Sequence, residues 1–395
     1  MSRATQLEKV YMSGFFFNVS YLIFAVLIPL DALHLHLTVW AVGILAALSG
    51  ILQLPLRILS GPLVDRWGSR SVLWVTFSLE FLAGIVVIGG QSLPMATLVS
   101  GQFLIGAARG LFWTAAQSEV SRQPGNRPHH LGLFTSFTKS GALIGIAATG
   151  VTAEFLGIYG GFMVSDALAF IALVIGLSLT HTGTRQRPPS FWRAALQLLP
   201  ASHQPFVVVN GLIAILCAVP QALAQSFYPV VLIRLGLSES AASLITALMS
   251  LGMIVAGFVG SIALQRLGMR RMVAVSTVMV ALSLSSTAFH HIIVDATAIL
   301  CGGFAAGWLN VAFLTAVTSR SNDGNRGTNL AVTEIYFVLA VLLTPLISGW
   351  LLSQVGRSTT FLIEGSLAFV VALLVMLLWR WQNHSRCAQH VEQRA

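Results

Sequence analysis

Charge is scarce in this chain. Of its 395 residues only 35 are Asp, Glu, Lys or Arg, or 9%, against about 25% in an average soluble domain. Apolar residues make up 56%, and the mean hydropathy is +0.82. So few charges cannot cover the surface of a soluble globule. A globular cytosolic enzyme, a disordered chain, a collagen and a nucleic-acid-binding domain are all excluded. Cysteine is scarce too: Cys217, Cys301 and Cys387 stand far apart and form no metal-ligand pattern. The first two lie in apolar segments and read as small buried hydrophobes. No Gly-x-x-x-x-Gly-Lys-Ser/Thr loop occurs, which excludes an ATP-driven pump in one chain. No nucleophile–base pair or metal constellation marks an enzyme, and no cofactor is implied. The first apolar run, from about Val10, is too long for the core of a cleavable signal and reads as a membrane span.

Long apolar runs fill the rest. Between charged or Gly/Pro punctuation they give twelve spans, necessarily helical because lipid cannot satisfy exposed backbone groups. The expected ranges are 10–30, 39–61, 71–90, 95–118, 131–156 and 158–180, then 205–232, 240–263, 271–292, 295–318, 328–354 and 358–381. Seventeen of the 22 basic residues fall in the tails and even-numbered loops, against Arg234 and Arg357 in the odd-numbered ones. This asymmetry predicts both termini in the cytoplasm. The net charge of +9 is thereby a topology signal, with no nucleic-acid partner required. The polar connection at 181–204 divides the chain into a bundle over 1–180 and another over 205–382, with a cytoplasmic tail at 383–395.

The two halves resemble each other. At an offset of 200, Arg66-Trp67-Gly68-Ser69-Arg70 overlies Arg266-Leu267-Gly268-Met269-Arg270. At 199, Gly125-Asn126-Arg127 overlies Gly324-Asn325-Arg326, and Leu168-Ala169-Phe170 overlies Leu367-Ala368-Phe369. A parallel repeat of two six-helix halves is one known transporter architecture, with its substrate site between the halves at mid-membrane.

The run Gly61-Pro62-Leu63-Val64-Asp65-Arg66-Trp67-Gly68-Ser69-Arg70 resembles the loop 2–3 signature of the major facilitator superfamily, Gly-x-Leu-x-Asp-Arg-x-Gly-x-Arg/Lys, at every fixed position. With the twelve spans, the central connection and the repeat, the resemblance covers nearly the whole chain. It implies an all-α membrane protein of two six-helix bundles related by a pseudo-twofold axis along the membrane normal. It also implies that Gly61, Asp65, Arg66, Gly68 and Arg70 latch the halves on the cytoplasmic side when the other side is open. The second copy has Gln265 in place of Asp65, so a latch there is weaker. Two patterns of the superfamily are missing. Gln102 stands where span 4 often has an arginine, and Gly141-Ala142-Leu143-Ile144-Gly145 is followed by Ile146, where drug:proton antiporters usually have proline.

Charged side chains at bilayer depth are costly and mark function by default. Arg57 lies near the end of span 2 on a stripe with Ser49 and Gln53, either snorkelling or facing a cavity. Arg109 is mid-span, with Trp113 and Gln117 following on the same face. A guanidinium, an indole and an amide in line suit an anionic or planar polar substrate. The alternative is an ion pair with Glu80, Glu119 or Asp166. Lys139 sits about 12 Å into span 5 by helix rise, and a Lys139–Glu334 pair across the halves is one arrangement for it. Proton coupling needs a carboxylate that alternates between dry and wet surroundings. Glu334 is the first choice, because the resemblance places its span at the interface. Glu80, Asp166 and Glu364 lie on spans that are peripheral in the family and read as structural. Asn18, Tyr21, Gln221, Gln225, Trp308, Asn310 and Tyr336 belong to spans that line the cavity in the family. Pro220 and Pro229 predict a bend in span 7. Asp31, His34, His36, His290, His291 and Asp295 share a face, but solvated loop histidines are the commoner explanation and no metal is expected.

The expected function is a secondary transporter of a small organic solute working by alternating access, in the first instance proton-coupled efflux. The competing version imports an organic anion through Arg57, Arg109 and Lys139. A non-transporting membrane sensor is the reading of another class. The expected setting is a monomer in the bilayer of a bacterial inner (plasma) membrane, with a small-molecule substrate and protons as partners.

Overall fold

The computed structural model describes residues 3–122, 127–179, 205–320 and 326–392, and every regular element among them is a helix. The connection at 181–204 and the Gly125-Asn126 and Gly324-Asn325 pairs lie outside the described residues. Among the described residues nine runs are long and apolar enough to cross a membrane. Three of them, Leu133–Leu177, Glu239–Phe289 and Val332–Arg380, are 45, 51 and 49 residues long. At 1.5 Å per residue each is about twice the 30 Å hydrocarbon core. Each contains a non-helical break, at Gly157, Gly268 and Gly356. Nine runs with three breaks make twelve crossings.

Spans 1 to 4 are Arg3–His34, Val39–Trp67, Ser69–Gly89 and Pro94–Arg122. Spans 5 and 6 are the two parts of Arg127–Leu177. Span 7 is itself two helices, Pro205–Ala224 and Phe227–Arg234. Spans 8 and 9 share Glu239–Ser286, span 10 is Ile292–Arg320, and spans 11 and 12 share Arg326–Glu392. The tail expected from 383 continues as helix to Glu392. The bend in span 7 falls at Gln225-Ser226, between the two prolines, where Ser226 has φ −130° and ψ −70°. Pro229 has no N–H to give the Gln225 carbonyl one turn earlier, so the helix cannot run through.

The repeat is built into the turns. Gly68 and Gly268 have φ/ψ of 82°/150° and 75°/157°; Gly157 and Gly356 have 74°/167° and 74°/177°. These values fall in a region only glycine occupies cheaply. Loops 1 and 7 repeat as well: Leu35-His36-Leu37-Thr38 is copied by Leu235-Gly236-Leu237-Ser238. His36 and Gly236 have φ of 54° and 90°. The N–H of Leu37 bonds the Ala32 carbonyl at 3.0 Å, and that of Leu237 the Leu232 carbonyl at 3.4 Å. The Thr38 and Ser238 hydroxyls each accept the N–H three residues on at 3.3 Å, as helix N-caps.

Small residues set the packing between spans. Gly106 lies on the Ser49 carbonyl of span 2, and Gly303 on the Met249 carbonyl of span 8, so the 2–4 and 8–10 crossings match. Gly141 and Gly145 pack on the Phe15 and Val19 carbonyls of span 1. The halves meet through span 2 against span 11 and span 5 against span 8. Their tightest approach is at the end carrying the odd-numbered loops. There Gly43 packs on Pro345 and Gly349, and Gly150 on the Glu239 carbonyl. His34 Nε2 is 2.8 Å from Glu239 Oε1, and Glu154 accepts the Ser240 N–H at 3.1 Å. Cys217 is buried as expected, but Cys301 is exposed on the outer face of span 10, correcting the reading of it as buried.

Candidate functional site

Polar side chains from spans 1, 2, 4, 5, 7, 10 and 11 converge between the halves. Asn18 donates its Nδ2 to the Gly14 carbonyl at 2.7 Å, one turn back in its own helix. That bond fixes the amide so that its oxygen accepts Arg109 Nη1 at 2.8 Å. The guanidinium is also stacked, 4.4 Å above the Tyr21 ring and 5.2 Å from that of Trp113. The Tyr21 hydroxyl donates to Gln225 Oε1 at 3.2 Å, tying span 1 to the break in span 7. Lys139 follows the same logic. Gln221 donates Nε2 to the Cys217 carbonyl at 3.1 Å, which turns its Oε1 to Lys139 Nζ at 3.4 Å. Met253 Sδ of span 8 lies 3.9 Å from the ammonium.

Arg57 is the third cation, and it is paired. Its Nη2 lies 2.7 Å from Glu334 Oε2, joining span 2 to span 11. Span 2 runs on to Trp67, which puts Arg57 ten residues, about 15 Å, from its end. With 9% side-chain exposure it does not snorkel. Glu334 pairs with Arg57 where a Lys139–Glu334 pair was one expectation, and Lys139 has an amide and a thioether instead. Arg109 makes no pair with Glu80, Glu119 or Asp166. Among the described residues neither Arg109 nor Lys139 has a carboxylate within 4 Å.

Three adjoining voids surround these groups. One of 90 Å³ is lined by Gln53, Arg57, Arg109, Trp113, Gln117, Thr135, Lys139, Gln221, Asn310 and Glu334 with apolar neighbours. One of 30 Å³ adds Asn18 and Gln225. The largest, 380 Å³, lies between spans 5, 8 and 10. Lys139 lines all three. Tyr21 and Gln225 also line a further 20 Å³ void nearer the odd loops. Two expected cavity residues lie elsewhere. The Trp308 ring lies tilted against Phe304 with centroids 4.7 Å apart, its Nε1 buried and without a hydrogen bond among the described residues. Tyr336 packs on Phe206, Val207 and Gly211 at the 7–11 crossing.

The loop 2–3 motif makes its contacts within the first half in this conformation. Asp65 and Arg66 are exposed. Arg70 lies 4.2 Å over Trp74 and donates to the Leu177 carbonyl at 3.2 Å, while Ser69 bonds Glu119. The residues of loops 1 and 9 also go separate ways: His34 to Glu239, His290 to Ser358 at 3.0 Å, and Asp295 to Arg357 at 2.6 Å. Of the acids read as structural, Glu364 accepts the Ser348 hydroxyl at 2.5 Å. Glu80 is buried in the first half at 2% exposure.

The sequence reading missed the apolar wall of the largest void, Met253, Gly257, Phe258 and Leu314, because nothing in a hydrophobic run separates a cavity wall from core. It missed the His34–Glu239 and Glu154–Ser240 contacts too, although the copied loops 1 and 7 were a readable signal.

Residues 10–234 and again 211–393 match the family described as the Major Facilitator Superfamily. The chain belongs to that superfamily, as an all-helical multi-pass membrane protein. Among curated relatives it is similar to a probable chloroplastic anion transporter of Arabidopsis thaliana, 24% identical over 39% of this chain and 29% of that protein. An uncharacterized transporter of the superfamily from Methanocaldococcus jannaschii is 29% identical over 43% of this chain and 44% of its own. Sugar efflux transporter A of Dickeya chrysanthemi is 27% identical over 32% of each. The match thus spans less than half the length of each of these relatives. Among solved structures, the nucleoside transporter NupG superposes with a TM-score of 0.80 at 14% identity, over 95% of this chain and all of that one. A peptide transporter in complex with sulfate gives 0.79 at 15%, over 95% and 94%. At these identities the likeness concerns the fold.

Proposed function

We propose that this chain is a secondary active transporter of a small organic anion, working by alternating access. One observation carries the reading: Arg109 and Lys139 face the central voids with only neutral hydrogen-bond partners among the described residues. Two cations at membrane depth cost about 2.5–3.5 kcal/mol each on insertion scales, and an anionic substrate offsets that cost. The Tyr21 and Trp113 rings hold the guanidinium in place and add a flat apolar surface for an organic group. The similarity to a probable anion transporter supports the same class.

Arg57–Glu334 is the moving part in this reading. It joins the two halves beside the voids, so rocking of one half against the other must separate it. Glu334 then takes a proton in place of Arg57, which couples transport to a proton gradient. Loss of the acid in Glu334→Gln abolishes gradient-driven uptake and leaves exchange of substrate for substrate. The latch assigned to Asp65 belongs to the opposite state, so Asp65→Asn slows turnover and leaves binding intact. The chain works as a monomer in a bacterial inner (plasma) membrane with both termini cytoplasmic, as its seventeen basic residues in the tails and even loops support. A second reading, proton-coupled efflux of an uncharged or amphipathic solute, is favoured by the similarity to a sugar efflux transporter and by the apolar wall of the largest void. Counterflow in proteoliposomes with a panel of organic anions, neutral sugars and cationic drugs separates the two. Accumulation of anions alone supports the first; accumulation of sugars or cations without anions overturns it.

A further inference from the structure

The 380 Å³ void, within the range of about 300–1,000 Å³ for small-molecule sites, is only partly enclosed, and exposed residues are among those lining it. Two lipid-facing stripes border it. On span 8, Leu244, Leu251, Val255, Phe258 and Ile262 are exposed at spacings of seven, four, three and four, one face of a helix. On span 5, Leu133, Phe137, Ile144, Val151 and Phe155 form the matching face. The void reaches the span 8 stripe at Phe258, and on span 5 it extends to Ser136, next to Phe137 of the other stripe. On span 8 its wall passes from Met253, beside Lys139, through Gly257 and Ile254 to Phe258, which is 73% exposed. At about 100° per residue, Phe258 lies about 140° around the helix from Met253, well onto the lipid side. On span 5 the wall passes from Lys139 to Ser136, itself exposed and about 60° nearer the lipid stripe. One ammonium thus stands at the inner end of an apolar slot whose outer end opens between two helices into the bilayer.

We infer that this slot is a lateral portal and binding site for an amphipathic anion with a single alkyl chain, its carboxylate on Lys139 and its chain running past Met253 and Phe258 toward the lipid. The inference rests on the anion reading above and narrows its substrate to one that partitions into membranes. The ammonium selects the charge, and the apolar wall leading from it to the acyl region selects the tail.

Straight-chain alkanoates of four to ten carbons are titrated by calorimetry against the full chain in lipid nanodiscs, with empty nanodiscs subtracted. Affinity rises about fourfold per added methylene, the transfer value for a buried CH₂. Gly257→Trp plugs the slot and flattens that rise. No atom lies within 4 Å of a Cβ built at Gly257, so a side chain there starts into open space on the slot side of span 8. Lys139→Gln weakens every alkanoate at least tenfold, and the matching alkyltrimethylammonium series does not bind. A flat chain-length series with four-carbon binding intact overturns the portal and leaves the anion reading standing. Absence of binding by every alkanoate overturns the portal; if short dicarboxylates titrated in the same way also fail to bind, the anion reading falls with it. An unchanged rise in Gly257→Trp also refutes the portal. A second measurement does not depend on that variant. The added emission of Phe258→Trp is quenched by lipids brominated along their acyl chains; no quenching places the mouth in water and contradicts the inference.

Discussion

Arg109 and Lys139 reach their positions by the same device. In each case an amide on a neighbouring helix spends its N–H₂ on its own backbone one turn back, through Asn18 on Gly14 and Gln221 on Cys217. Its oxygen is then fixed toward the cation. A neutral partner orients the charge without neutralising it, which leaves the field for a substrate. Hydrogen bonds to charged groups contribute about 1.5–3 kcal/mol, so Arg109→Gln raises the Kd for an anionic substrate by about 10- to 100-fold. Asn18→Ala, which only frees the guanidinium, has a smaller effect in the same titration. Arg57 and Glu334 behave differently because they are matched. Breaking a buried pair costs about 3–5 kcal/mol when fully buried, and less at the 9% and 23% exposure found here. Glu334→Gln therefore lowers the thermal unfolding temperature, and Arg57→Gln/Glu334→Gln recovers most of the loss. Additive losses in the double variant would refute the pairing. The intramembrane charges themselves were legible in the sequence, because each interrupts an apolar run. Their partners were not: Arg57 and Glu334 are 277 positions apart and meet only through the docking of two bundles.

At the scale of elements, glycine and proline set where helices stop. Gly157 and Gly356 end spans 5 and 11 in a conformation that costs other residues about 1–3 kcal/mol. Gly157→Ala and Gly356→Ala each lower stability by about that amount in denaturation of the purified chain, whereas an alanine at Gly257, inside a helix with no neighbour within 4 Å of its Cβ, does not lower it. The span 7 break is of another kind, since it carries Gln225 and lies against the voids. Pro229→Ala returns an N–H to the Gln225 carbonyl. It raises the unfolding temperature and slows substrate exchange if span 7 must bend during transport; unchanged exchange would show that the bend is only structural. The glycines and prolines were readable from sequence, as were the spans they bound, to within several residues. The exact site of the bend was not, since Pro220 is accommodated inside its helix while Pro229 sits in the first turn of the next one, just after the break.

On the scale of the whole molecule, two similar halves press together at the odd-loop end and leave their central voids nearer the other. His34–Glu239 and Glu154–Ser240 both fasten the start of span 8, one from span 1 and one from span 5. Weakening both with Glu154→Gln/Glu239→Gln releases that end. In a chain with its three cysteines replaced by serine, Ser49→Cys then reacts faster with an impermeant maleimide added on the odd-loop side. An unchanged rate would mean that the small-residue contacts at Gly43 and Gly150 hold the end closed unaided. The repeat behind this arrangement was visible at short matches around loops 2 and 8. Its clearest copy, loops 1 and 7, is carried in sequence by Leu35/Leu235, Leu37/Leu237 and Thr38/Ser238, while His36 and Gly236 differ in side chain and share a positive φ.

The central claim, that Arg109 and Lys139 form an anion site between the halves, is tested most directly by counterflow of one radiolabelled organic anion into proteoliposomes bearing the wild-type chain, Arg109→Gln, Lys139→Gln or both. Accumulation that the wild type drives, that each single variant reduces at least tenfold and that the double variant loses is the expected result. Equal accumulation by all four would place the anion site elsewhere.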